Sequence, residues 1–348
     1  MGMPEILTDF KHKGTQAIKK SERGIVLLVL RDKFDKKEVL KSVLDVSKEY
    51  SEKNKLYIQD TFREAPYRVI IRTIGENTEL SDALKEFRVM KWSYGAMPSA
   101  TAEEITKLAT FNKELRKNNH IGKFVLANSK SDFEGIGNFT TTGIEIGERK
   151  VETQEFTCRL AGIFATVPLT QSATYFVLPE VTKIDIVEDE NERIDNGELI
   201  LTNDGEKIKI ARAVNSKTTI GTGESKQLKK IKIIEGMDLM KEDIGNTFAN
   251  LYTGKIINGY DNKMLFFSAV QNGYFKQLEK IGVLDKTFNN TCYLDFEAQK
   301  EYLASEGKDV ENMSEMEIRK ANTEDKVFMA SNVRFVDVME DLHFTVNY

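Results

Sequence analysis

Two cysteines, three histidines and one tryptophan among 348 residues leave little from which to build redox, metal or base-stacking chemistry. Cys158 and Cys292 stand alone and far apart, outside any ligand spacing, which predicts reduced, buried thiols rather than a disulfide framework. His12, His120 and His343 also sit singly, and none belongs to an HExxH or paired-ligand spacing. His120 reads as a cation beside a helix C-terminus. No apolar run approaches the roughly 20 residues of a membrane span, and residues 1–20 have no apolar core of a signal peptide, which predicts a chain made in the cytoplasm and not inserted in a membrane. An excess of one charge is missing too. With 50 basic and 55 acidic residues the net charge is -5, which provides no global field to hold nucleic acid or an anionic membrane.

The length suits one large or two modest domains, with ample apolar content for a core. Residues 1–20 carry Gly2, Pro4 and Gly14 among scattered charges, with Ile6 and Leu7 as their short apolar group, and read as an extended N-terminal arm without a core of its own. Residues 24–30 (GIVLLVL) form a continuous apolar run of strand length, the mark of a strand covered on both faces. Asp35 is then expected to cap a helix bearing Val39, Leu40, Val43 and Leu44, and 67–71 (YRVII) to return as a second buried strand, a βαβ pattern. A helix over 80–89, a short strand over 92–97, a helix entered at Pro98-Ser99 with Ile105, Leu108, Phe111 and Leu115, and a strand over 124–127 continue the alternation. The first half is therefore predicted to be a largely parallel sheet with helices on its faces.

From Val181 the texture changes. Residues 198–202 (ELILT) and 206–211 (EKIKIA) flank Asn203-Asp204-Gly205, whose Asp-Gly step is a strong hairpin signal. Residues 220–230, rich in Gly, Ser and Lys, read as an exposed loop, and a domain boundary is placed near Ile233. Beyond it, Met240, Ile244, Phe248 and Leu251 mark one helix, and Leu265, Ala269, Leu278 and Ile281 a second, long one. Residues 291–296 read as a strand, 311–320 as a short charged helix, and 327–338 as closing strands. The last seven residues, Leu342-His343-Phe344-Thr345-Val346-Asn347-Tyr348, alternate apolar and polar throughout, predicting a terminal strand with one apolar face that needs a sheet to join. The predicted class is α/β: a mixed sheet flanked by helices over 21–232, a C-terminal α+β region over 233–338, and extended β arms at 1–20 and 339–348.

The candidates for chemistry fail against simpler readings. Gly221-Thr-Gly-Glu-Ser-Lys226 lacks the four-residue gap of a phosphate-binding loop, and no Ser or Thr follows its lysine. Gly135-Ile-Gly137 lacks the third glycine of a dinucleotide site and reads as a turn. Glu188, Asp189, Glu190, Glu192 and Asp195 lack the order of a calcium loop and read as a solvated loop. Ser172 has no GxSxG setting, so Ser172 to Thr174 is read as backbone capping; Trp92, Phe266 and Phe267 are read as core. Neither a catalytic constellation, nor a cofactor site, nor a metal site emerges. Weight shifts toward an interaction protein, while an α/β enzyme with a site assembled from distant residues, or a monomeric binding module, stays open.

The segments 157–181 (TCRLAGIFATVPLTQSATYFVLPEV), 194–219 (IDNGELILTNDGEKIKIARAVNSKTT) and 234–261 (IEGMDLMKEDIGNTFANLYTGKIINGYD) resemble the tail sheath protein of contractile phages, in particular the short sheaths of defective prophages and R-type, phage-tail-like bacteriocins of Gram-positive bacteria. The similarity continues through 290–299 (NTCYLDFEAQ) and to the end, FVDVMEDLHFTVNY, and so covers essentially the whole chain. The resemblance implies a mechanical, non-enzymatic subunit without cofactor. Identical subunits would stack in sixfold rings around an inner tail tube, wait on a baseplate trigger, and contract to drive the tube through a target envelope. It places assembly in the bacterial cytoplasm and the finished protein in a released tail or tail-like particle. It also implies terminal arms that complete a β-sheet of adjacent subunits. The residues assigned to these tethers are Ile6 and Leu7 at the start and Leu342, Phe344 and Val346 at the end. Arg319 and Lys320, on the charged helix before the closing strands, are the candidates for facing the tube.

Overall fold

The computed structural model describes residues 23–75 and 78–347. These fall into two compact units, 23–235 with 338–347, and 236–337. The expected N-terminal arm, Ile6 and Leu7 included, lies outside the described residues.

The first unit begins with Ile25–Arg31 (β1), Lys36–Leu40 (β2), the helix Glu52–Phe62 (α1) and Arg68–Ile74 (β3). Leu80–Phe87 (α2), Tyr94–Ala96 (β4), Ala102–Lys117 (α3), Lys123–Ala127 (β5) and Ile136–Phe139 (β6) follow. Then come Ile144–Ile146 (β7), Arg149–Val151 (β8), Thr153–Thr166 (α4), Val181–Lys183 (β9), Glu190–Asp195 (α5) and Glu198–Leu199 (β10). Strands β1 to β6 and β10 form a seven-stranded sheet in the order β10-β6-β5-β4-β1-β3-β2. Every pairing is parallel except that of β2 with β3.

The continuous apolar run of β1 serves two cores. Period-two alternation turns Val26, Leu28 and Leu30 toward a cluster with Ile58 of α1 and Phe156 and Leu160 of α4, and Ile25, Leu27 and Val29 toward one with Phe87 of α2 and Leu108 and Phe111 of α3. Helices α1 and α4 pack so closely that a Cβ on Gly162 would stand 2.3 Å from the Thr61 carbonyl oxygen, so only glycine fits there.

The helix expected from Asp35 is not there. Residues 36–40 form the antiparallel edge strand β2, with Val39 half exposed and Leu40 buried, and only a short 3-10 turn, Val43–Asp45, follows. The backbone ladder to β3 overrides a spacing that mimics a helix, and Asp35 is engaged with Arg72 of β3, which also holds Glu86 at 2.9 Å. The crossover helix between β1 and β3 is instead α1, capped by Ser51, whose hydroxyl accepts the Asn54 N–H.

Two smaller sheets complete this unit: β8-β7-β9, and the hairpin of Leu201–Asn203 (β11) with Ile208–Ile210 (β12). The ELILT segment is thus divided, its first residues joining β6 in the main sheet and the rest forming the hairpin. Gly205 takes φ +94 in the turn, and the Asp204 carboxylate accepts the Glu206 and Lys207 N–H groups. The acidic stretch expected as a loop forms α5 over Glu190–Asp195, with Glu190 accepting from the Thr202 hydroxyl at 2.6 Å and Arg193 donating to Glu198 at 2.8 Å. His120 is not a helix-end cation. Its Nδ1 accepts the Gly122 N–H at 2.9 Å, which requires the neutral ring, and Nε2 then donates to the Met90 carbonyl.

The helix Ile231–Thr247 (α6) reaches into the second unit, followed there by the wide π-type turn Phe248–Tyr252. Tyr260–Ser268 (α7), the π-type segment Ala269–Phe275 and Lys276–Lys280 (α8) make one continuous rod that buries Phe266, Phe267, Tyr274, Phe275 and Leu278. Thr291–Leu294 (β13), Phe296–Ser305 (α9), Glu315–Lys320 (α10) and Met329–Asn332 (β14) follow, with β13 and β14 antiparallel. The closing strands expected over 327–338 reduce to β14 and one bridge, Leu284 to Phe335.

Candidate assembly surface

The terminal segment carries the alternation but forms no ladder. Residues 342–347 are recorded in no strand, since a strand is defined by a partner, and none is offered to them among the described residues of this chain. Leu342, Phe344 and Val346 are 87%, 79% and 64% exposed. Immediately before them the chain is held. The Glu340 carboxylate accepts from Thr174 Oγ1 at 2.6 Å and Lys230 Nζ at 2.9 Å, and Asp341 pairs with Arg212.

In the second unit, the pairing of β13 with β14 leaves one edge without a strand partner among the described residues. Cys292 turns its N–H away from β14 to the Gln271 side chain at 2.9 Å, so helix-borne Gln271 covers the β13 edge. The same alternation turns the backbone groups of Met329 and Ser331 outward along β14, whose last two residues are exposed.

Arg319 and Lys320 both lie on α10, whose start is fixed by a reciprocal cap between Ser314 and Glu317. Arg319 is engaged with Glu315 at 2.6 Å and lies 5.3 Å from the Phe296 ring centroid; Lys320 is exposed, its Nζ 5.9 Å from that of Tyr260. Sequence reasoning missed Glu340, Asp341 and the β14 edge. An acidic pair just before an alternating run was a signal, but nothing local named its partners.

The displaced pKa values trace to burial and to structural partners. Burial works against the charge of Glu235, yet Lys123 at 2.9 Å and Arg23 outweigh it and hold its carboxyl down to about 2. Burial raises Tyr274, which donates to Asp243 at 2.6 Å. Cys158 and Cys292 are free and buried, and burial pushes the Cys292 thiol up to about 11. In the glycine-rich loop, the Gly221 N–H is spent on Glu224, and a 3-10 turn over Lys226–Lys229 separates the loop from the first residue of α6, so no glycine of the loop stands at a helix N-terminus. A crevice of about 660 Å³ lies at the carboxyl end of β5, lined by Ile105, Ala109, Lys113, Asn128, Lys130 and Gln154 among others. Among the described residues no group of three or more His, Cys, Asp or Glu could hold a metal, and no helix is long and apolar enough to cross a membrane.

Among the described residues, the exposed strand-like segment in one unit and the outer edge of β14 in the other are each open to another chain. Residues 75–216 match the phage tail sheath protein central domain and residues 224–348 the phage tail sheath C-terminal domain, and the chain belongs to the phage tail sheath family, as a structural sheath subunit. It is 37% identical to the tail sheath protein of Clostridium phage phiCD119 over 99% of both chains. The fold is that of solved sheath proteins. It matches the sheath tail protein from Listeria innocua with a TM-score of 0.67 at 16% identity, covering 85% of this chain and 94% of that one. The helical sheath of the anti-feeding prophage in its contracted state matches with a TM-score of 0.71 at 10% identity, over 100% of this chain and 98% of that one.

Proposed function

We propose that this subunit polymerises in stacked sixfold rings around an inner tail tube, is held by a baseplate, and contracts to drive the tube through the target cell envelope, without catalysis. The work comes from free energy stored in two alternative packings of the same subunits. Assembly takes place in the bacterial cytoplasm, and the product is a tail or tail-like particle. The observation that carries this reading is the exposed alternating segment of Leu342, Phe344 and Val346 at a chain end, in a protein of the sheath family. Within it, the segment is an intersubunit tether that adds as a strand to the open β14 edge of a neighbour, where backbone hydrogen bonds supply continuity and the apolar face supplies register. Ile6 and Leu7 form the corresponding N-terminal tether, and Arg319 and Lys320 face the tube.

Deleting residues 342–348 tests it. The truncated subunit should fold with unchanged circular dichroism and fail to polymerise; ordinary sheaths in electron micrographs of that protein would overturn the tether. Changing Phe344 and Val346 together to Asp should act alike, by placing charges in a face that must become buried.

A further inference from the structure

We infer that Glu340 is the root of the C-terminal arm: a positioning residue that fixes the chain to the sheet unit, so that the free arm starts at Leu342. Three features converge on this carboxylate. Its side chain is only 6% exposed, whereas Met339 before it and Leu342 two residues after it are almost fully exposed. Each of its oxygens has a dedicated donor, Thr174 Oγ1 at 2.6 Å on Oε1 and Lys230 Nζ at 2.9 Å on Oε2, with Arg212 Nε at 4.0 Å. The Thr174 hydroxyl is itself aimed. It accepts from the Ala213 N–H at 3.0 Å and the Ser172 hydroxyl at 3.0 Å, which uses both lone pairs and leaves its single proton for Glu340. Ser172 in turn accepts the Thr174 N–H, so the donor is built into the backbone of the sheet unit.

A charged, nearly buried acceptor with saturated donors is the strong kind of hydrogen bond, and losing either partner strands a charge. Arg212 adds a second point of attachment through Asp341. The consequence is mechanical. Residues 236–337 form a separate unit, yet the segment after them groups with 23–235, so a pull on the arm enters the sheet unit through Glu340. Each residue from Leu342 onward adds roughly 3.3 Å of reach to a tether at strand rise. That last consequence rests on the tether reading above; the root does not.

Spin labels on Leu342→Cys and on Glu206→Cys, an exposed position of the hairpin in the same unit, would report the root by pulsed dipolar distance measurement on the full chain, diluted with unlabelled protein. The native Cys158 and Cys292 are buried and stay unlabelled. The unaltered root should yield one narrow distance distribution. Glu340→Ala and Lys230→Met should each broaden it, roughly twofold, and the double variant should be no broader than Glu340→Ala alone, since both remove one interaction. A wild-type width in Glu340→Ala, or a double variant as broad as the two effects summed, overturns the root. Sheath assembly that survives loss of 342–348 while the labels still show this pattern would sink the tether and leave the root standing.

Discussion

Strand β1 and the segment 342–346 are written in the same apolar alphabet, and the structure treats them oppositely. Residues Ile25 to Leu30 are each 0% exposed, whereas Leu342, Phe344 and Val346 stand largely in solvent. The difference lies in partners. β1 has β3 on one edge, β4 on the other and helices on both faces, all from within one unit. The terminal segment has a firm root and, among the described residues, no strand partner beyond it. Burying such side chains is worth roughly 1.5–3 kcal/mol each, so three left in solvent mark stabilisation withheld from the subunit and available to a contact with another chain.

The same substitution in the two regions should break this comparison widest. Leu28→Asp places an unpaired carboxylate between α1, α4 and the sheet, and should cost more than about 5 kcal/mol, enough to prevent folding. Phe344→Asp should leave the thermal unfolding of the subunit within about 0.5 kcal/mol of wild type, because the side chain has no native surroundings to lose. A calorimetric loss above about 1 kcal/mol for Phe344→Asp would show that the arm belongs to its own subunit's core, and the contrast with β1 would collapse.

A second contrast concerns charge. Glu235 is a buried carboxylate between Lys123 and Arg23, and Glu235→Gln would leave Lys123, itself buried, beside a neutral amide; a destabilisation of about 3 kcal/mol is expected. The sign of the pH dependence follows from the same group. Its folded pKa, about 2, lies below the ordinary value of 4.5, so the native state binds the proton less readily than the unfolded chain. Its contribution is therefore full above about pH 4.5 and is lost as pH falls toward about 2. Urea titrations of wild type and Glu235→Gln should converge across that window. Parallel curves would mean that Glu235 is not held by its cations.

These regions also show what a sequence reveals and what it hides. β1, β3 and β5 were legible because a strand covered on both faces carries a continuous apolar run, IVLLVL in β1, VII in β3 and FVLA in β5, and the arm because its alternation was unbroken. The helix read from Asp35 was an error of period: Val39, Leu40, Val43 and Leu44 lie at helical spacing, but the ladder to β3 decides, and that ladder spans a separation no local pattern records. Helix α4 was hidden for the opposite reason. Residues Phe156 to Ala165 are all buried, so no polar stripe marks a face, and Gly162 reads as a breaker although close approach to Thr61 requires it. The root at Glu340 was beyond reach, because its donors Thr174 and Lys230 lie 166 and 110 residues away.

The smallest expected effect separates stability from assembly on α10. Arg319 and Lys320 are surface groups: Arg319 has an i,i+4 partner in Glu315, a pair worth about 0.3–0.5 kcal/mol, and both sit near aromatic rings. Reversing both to Glu should therefore lower subunit stability by about 1 kcal/mol at most. If these cations face the tube, the same variant should lose tube-templated assembly while retaining arm-dependent polymerisation into tubeless sheaths, a separation that sedimentation and negative-stain imaging with and without tube protein would show. Tube-templated assembly at the wild-type level would remove α10 from the inner wall, and the arm and the β14 edge would then be the exposed features of the described chain that keep an assigned role.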